Sequence, residues 1–306
     1  MGAYVLRRLL LALPALWAAV TLVFFLFRLV PGDPAELIAG ELAPREVVES
    51  IRHQMGLDLP LPLQYAHYLG GLVHGDLGIS KVSQQNAAEG LLQRLPATLE
   101  LALAAMGLAL ALGITAGLVS AVKQYSWLDY LATVLSVSGI SIPSFWLGLM
   151  LIILFSVTLG LLPTAGNERP LSIVLPAVTL AAYQMAVIAR MTRSSALEVL
   201  RQDYVRTARA KGVRERGVVM SHVLRNALIP TVAIVGLQLG YLLGGSIIVE
   251  TVFAWPGVGG LMIESVRLRD YTMVQAVALV FAAMFLLINF VVDVLYAALD
   301  PRVQYS

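Results

Sequence analysis

Between Asp129 and Glu168 the chain carries no charged side chain. About 20 apolar helical residues cross the hydrocarbon core of a bilayer. A charge-free run longer than one span therefore constrains the fold more than any other feature. It is read as one helix over 130–159, closed by a turn through Gly160-Leu161-Leu162-Pro163. Five other segments have the same character, at 9–30, 97–122, 171–189, 229–249 and 273–295. Of 306 residues, 58% are hydrophobic and 13% charged, against about 25% charged in a soluble domain. Lipid must cover much of the surface. The class is an all-α integral membrane protein with six transmembrane helices.

Basic residues set the orientation. Arg7 and Arg8 precede the first span. Residues 190–225 hold nine basic side chains against three acidic, whereas 31–96 hold four basic against eight acidic. With six spans, both termini and the basic loop fall inside and 31–96 falls outside. The first apolar run exceeds a signal-peptide core and no A-x-A site follows, so it is read as an uncleaved span. The division is 1–30, first transmembrane helix; 31–96, an extracytoplasmic segment packed on the outer helix ends; 97–300, a five-helix core with a loop at 190–228; and 301–306, a cytoplasmic tail.

Several chemistries are excluded. There is no cysteine, and the four histidines are scattered, so no metal site is expected. None of the three lysines follows a glycine, so no phosphate-cradling loop exists. No chain of acids and histidines within the spans marks a proton relay, and no G-x-S-x-G occurs. Asp293 and Glu100 lie near span ends, where they reach interfacial water. A transporter working alone would need a coupling-ion site and internal repeats. An intramembrane enzyme would need paired catalytic groups at depth. Neither is present.

The basic loop is ordered as well as charged. Residues 199–211 can form a helix with Tyr204, Val205, Ala208 and Ala210 as a small apolar face, ended by Gly212. Arg206 and Arg209, three apart, share a side of that helix. On these residues alone, docking to a protein groove and contact with anionic lipid both stand.

Asp203-Tyr204-Val205-Arg206-Thr207-Ala208-Arg209-Ala210-Lys211-Gly212, followed by His222 to Pro230, resembles the cytoplasmic coupling loop of ABC importer permeases. Against that loop's general E-A-A-x-x-x-G-x9-I-x-L-P pattern, Ala208, Gly212 and Leu224 match. Arg206 replaces the Glu, Thr207 the first Ala and Arg225 the Pro. The peptide/nickel/glutathione subfamily reads Y-x-R-T-A-R-A-K-G and then H-x-L-R-N-A-x-x-P, as here. Four more motifs are similar to the subfamily in order: Arg28-Leu29-Val30-Pro31-Gly32-Asp33-Pro34, Gly75-Asp76-Leu77-Gly78-Ile79-Ser80, Ala189-Arg190-Met191-Thr192-Arg193, and Glu250 to Gly259 with Arg269-Asp270-Tyr271.

The resemblance implies a type I permease fold in a prokaryotic inner membrane. This chain would form half of a pathway completed by a homologous second permease. Two ATPase subunits would dock at 203–212 and an extracytoplasmic substrate-binding protein outside. ATP and magnesium would belong to the ATPases. The chain itself would bind no cofactor, and its other partner is the bilayer rather than nucleic acid. Peptides are the expected substrate class, on subfamily frequency.

For the pathway, Gly236, Gly240 and Gly244 lie at four-residue spacing with Gln238 nearby, a pattern that fits close helix packing or a pathway wall. Asn289 is expected to hydrogen-bond a neighbouring helix. Ser136, Ser138, Ser141 and Pro143 interrupt the third span and mark a kink. Trp255-Pro256-Gly257 is expected as a re-entrant or surface turn, with Trp255 as an interfacial anchor.

Overall fold

The computed structural model describes residues 2–29, 33–40, 43–80 and 82–299, and these form helices and connecting turns, with only an isolated bridge between Ile79 and Asn86. Val30, Pro31 and Gly32 of the first-span exit, and the tail at 301–306, lie outside the described residues. In chain order the helices are α1 (Gly2–Leu29), α2 (Pro34–Ala39), α3 (Arg45–Gln54), α4 (Leu61–Val73), α5 (Ala87–Val122), α6 (Trp127–Ser141) and α7 (Ser144–Leu151). Then come α8 (Val174–Leu200), α9 (Asp203–Ala210), α10 (Glu215–Gly217), α11 (Arg225–Val252), α12 (Val258–Arg267) and α13 (Tyr271–Leu299). A wide-turned π segment, Val218–Leu224, joins α10 to α11, so 215–252 runs as one rod.

Five of these rods are long and apolar enough to cross a membrane; α6 and α7 together make the sixth. The third span is not one straight helix. It bends by 109° between Ser141 and Ser144. Pro143 lacks an N–H and disfavours helical backbone at Ile142, so α6 closes with the Ile142 amide on the Ser138 carbonyl at 2.9 Å. The kink expected there is a break, with a π segment Ile152–Thr158 extending α7.

Several rods overrun their apolar runs. Asn86 caps α5 by accepting from the Ala88 amide at 2.9 Å, so the 36-residue helix starts well before Pro96. At about 1.5 Å per residue it is roughly 54 Å long, more than a bilayer needs. Likewise α8 carries Arg190 and Arg193 within the helix, so much of the basic "loop" is rod.

The core is α5 against α8, with α11 across them. Leu101, Ala105 and Ala109 interleave with Leu180 and Ile188, and Phe253 and Trp255 close one end. The approach is close: a Cβ on Gly117 would sit 2.4 Å from the Ala189 carbonyl oxygen. Helices α1 and α13 flank this core, and Arg8 meets Asp293 at 2.9 Å. Leu13, Trp17 and Leu22 on α1 are more than half exposed, as a lipid-facing surface requires.

Helices α2 to α4 are tied to the rods by polar contacts. Thr21 and Tyr65 hydroxyls are 2.6 Å apart. Arg28 donates to Gln64 at 2.9 and 3.0 Å and lies 3.4 Å over the Phe24 ring. Asp33 caps α2 and pairs with Arg52 on α3. Buried Ser80 donates to buried Asp270, which joins two of the sequence motifs across 190 residues.

Candidate functional site

Helix α9, with the turn at Lys211-Gly212 that follows it, makes up the first ten-residue candidate, from Asp203 to Gly212. The sequence reading extended it back to Val199; the chain instead turns at Arg201 and Gln202. Val205 is fully buried and Ala208 nearly so, against Ala121, Ala196, Val218, Val223 and Ala227 of the same chain. The expected apolar face thus exists but points inward. Tyr204 and Ala210 are exposed and do not belong to it. With a helical step of 100°, the outward side is Asp203, Arg206, Thr207 and Ala210. Arg206 is 82% exposed and its contact with Asp203 is a loose 3.8 Å. Arg209 turns back onto Glu215 in a bidentate pair at 2.7 and 3.1 Å. That pair raises the guanidinium's already high pKa. The helix ends at Ala210, exposed Lys211 caps it, and Gly212 just beyond has a φ of +77° that suits glycine.

Immediately above lies a buried ion pair that the sequence reading missed. Asp129, in the first turn of α6, is 3% exposed. It receives Arg193 of α8 at 2.8 and 2.9 Å, the Ser120 hydroxyl of α5 and the Tyr125 amide at 3.0 Å. Three rods are pinned together about two turns before α8 ends. Arg193 was visible as part of a motif; its partner sits 64 residues away, and nothing in the local pattern links them.

The four-residue glycine row divides. A Cβ at Gly236 would lie 2.0 Å from Val292, and one at Gly240 2.5 Å from Phe285, so both are packing contacts with α13. Gly244 has nothing within 4 Å and is exposed. Gln238 is buried and donates to Gln184 of α8. Asn289 departs from expectation: its amide donates to the Phe285 carbonyl of its own helix at 2.8 Å, the acceptor one turn back, between two positions whose α11 neighbours are glycines with no side chain to offer. Between the α6–α7 break, α8 and α11 lies a concavity of about 330 Å³.

At the opposite end from α9, Glu250 is fully buried. It accepts from Thr98 at 2.8 Å and from the Gly260 amide at 3.0 Å, while Thr98 accepts from the Val258 amide at 2.8 Å. Trp255 is 4% exposed and donates its indole N–H to the Ala97 carbonyl at 2.8 Å. It is a core residue, not a surface anchor or an exposed turn, because α12 folds back over the tip of α5.

Among the described residues no cluster of three metal-ligating side chains occurs. The features that remain are mechanical: a helix with an outward polar face, a pinned rod above it, and an uncharged concavity of mixed lining beside the α6–α7 break.

The family described as "Binding-protein-dependent transport system inner membrane component" matches residues 113–305, and its N-terminal companion matches 1–102. The chain is similar to the glutathione transport system permease protein GsiC of Escherichia coli (strain K12), 50% identical over 303 residues, covering 99% of each chain. The protein of that description from Shigella dysenteriae serotype 1 aligns at the same identity and coverage. Among solved structures, an inward-facing MetNI methionine ABC transporter shares the fold, with TM-score 0.59 and 22% identity over 69% of this chain and 96% of that one. An amino acid ABC transporter with histidines follows, with TM-score 0.52 and 16% identity over 70% and 94%.

Proposed function

The chain belongs to the inner-membrane components of binding-protein-dependent transport systems and is a permease subunit of an ABC importer; from that premise we propose that it carries peptide-like solutes and is driven through α9. Membership implies a partner permease, ATPases and a binding protein in general. In the proposed assembly the second permease is a different, homologous chain, and each forms half of the pathway. Two ATPase subunits dock against 203–212, hydrolyse ATP with magnesium and leave this chain without a cofactor. The basic end and both termini face the cytoplasm, following the charge bias. The binding protein meets the end that holds α2 to α4 and α12. The 50% identity to a glutathione permease supports a peptide-bond-bearing substrate.

The observation that carries the coupling role is the split character of α9. Val205 and Ala208 lock it onto α5, α8 and the π segment, while Asp203, Arg206, Thr207 and Ala210 face outward. Force applied to that outward face passes into three rods. Differential contact in two conformations, rather than bond chemistry, is then the chain's contribution.

The test is a reconstituted complex with its ATPases and binding protein. Arg206→Glu with Thr207→Glu, both on the exposed face, is expected to cut binding-protein-stimulated ATP hydrolysis at least tenfold with assembly of the two permeases retained. Stimulation at the wild-type level would remove α9 as the joint.

A further inference from the structure

We propose that the concavity beneath the α6–α7 break is a substrate-contact subsite that recognises peptide-bond groups without selecting charge; this rests on the importer reading above. Three span midpoints meet there. The break at Ile142-Pro143 lies mid-way along 130–159, Thr179 to Gln184 mid-way along 171–189, and Tyr241 just past the middle of 229–249, with Gly245 nearer its end. The pocket therefore sits near the centre of the bilayer.

Backbone at that depth is tolerated outside a regular helix only where protein buries it or water reaches it. Across the break, the Gly139, Ile140 and Ser141 carbonyls and the Ser144, Phe145 and Trp146 amides have no backbone partner. Ser141 and Pro143 are exposed. Water is the partner these groups require, so the concavity is wet.

Its lining fits one kind of guest. Ile140, Ile142, Leu147 and Leu180 give it apolar walls, Ser144, Tyr183 and Tyr241 bring hydroxyls to it, Thr179 and Gln184 lie buried behind it, and no charged side chain lines it. Tyr183 is 45% and Tyr241 69% exposed, and neither phenol has a hydrogen-bond partner among the described residues. Gln184 is held in place by Gln238. Phenols and carboxamides each donate and accept, as a peptide bond does. Without a fixed charge the site cannot sort substrates by side-chain sign. At about 330 Å³, this half alone is at the lower end of the roughly 300–1,000 Å³ of small-molecule sites.

The chain has no cysteine, so single cysteines report without background from it. Tyr183→Cys and Tyr241→Cys would be placed in the reconstituted complex, with Trp17→Cys on the outer face of α1 as control. Each is exposed to a water-soluble methanethiosulfonate, with and without trialanine, binding protein and ATP. Both pathway cysteines are expected to label, the control to stay unlabelled, and trialanine to slow labelling at least threefold. Gln184→Leu is expected to lower trialanine uptake at least fivefold. Absence of labelling means a dry face sealed by the second permease or lipid, and overturns the subsite. Labelling without protection, with full uptake in Gln184→Leu, overturns it as well. Wild-type complex that hydrolyses ATP on binding-protein addition without moving trialanine overturns the peptide class. Wild-type complex with no such hydrolysis overturns the importer reading instead.

Discussion

Glu250 shows how much a single side chain can organise here. It lies in a stretch whose sequence reads as a loop motif, yet its carboxyl is fully buried and joins α5, α11 and α12 through Thr98 and the Gly260 amide. Gly257 is required for space rather than for backbone freedom, since a Cβ there would fall 2.3 Å from that carboxyl. Gly257→Ala should push the carboxylate out of its cradle and leave buried donors unmet. Each unmet group costs about 1–3 kcal/mol, so thermal unfolding in detergent is expected to show a loss of about 3 kcal/mol. A change below about 0.5 kcal/mol would mean that the cradle is not structural. Legibility at this scale was uneven. Gly236 and Gly240 read as packing or pathway-wall residues, and their contacts with Val292 and Phe285 are packing contacts. Asn289 and Trp255 did not read, because their environments depend on which rods lie opposite. Asp129 and Arg193 are joined only by the tertiary fold.

At the scale of elements, charges in the sequence located the apolar runs but not the helix ends. Helices α5 and α8 run past their apolar runs because capping, not hydropathy, ends a helix. The amphipathic character of α9 was legible; that its apolar face belongs to the same chain was not, since a hydrophobic stripe does not specify its partner. Pro143 marked the break, whereas its 109° depends on packing against α8 and α11. The outer helices carry a pH dependence. Burial pushes the Asp33 carboxyl up, but the Arg52 guanidinium and the Ala35 amide outweigh it and hold it below the usual carboxylate range. The α2–α3 tie is therefore complete above the unfolded value of about 4 and is lost as pH falls through the lower folded value. Hydrogen exchange in α2 and α3 should be flat from pH 7 to 5, after correction for intrinsic rates, and rise below about pH 4. Arg52→Gln should show the raised exchange already at neutral pH. Identical profiles for the two proteins would remove the tie.

Among the described residues, the core rods α5, α8 and α11 are tied by polar contacts at three levels: Glu250 at one end, Gln184–Gln238 at mid-span, and Asp129–Arg193 near α9. Removing one partner of a buried charge pair costs about 3–5 kcal/mol, less here because Arg193 remains about one-third exposed (32%). Asp129→Asn is expected to destabilise the fold by about 1–3 kcal/mol. In the reconstituted complex it should lower solute moved per ATP at least fivefold, with hydrolysis continuing. Unchanged stoichiometry would show that the knot only stabilises the fold.

The position of that knot along α8 gives the molecule a mechanical ratio. From Arg193 to the end of α8 at Leu200 is about 10 Å, and from Arg193 to Gln184 about 13 Å, at 1.5 Å per residue. A stiff beam with its fulcrum at the ion pair has nearly equal arms. A push of 1 Å at α9 then becomes a swing of roughly 1.3 Å the opposite way at the concavity, so in the proposed assembly a stroke applied at α9 would arrive slightly enlarged and reversed in sign.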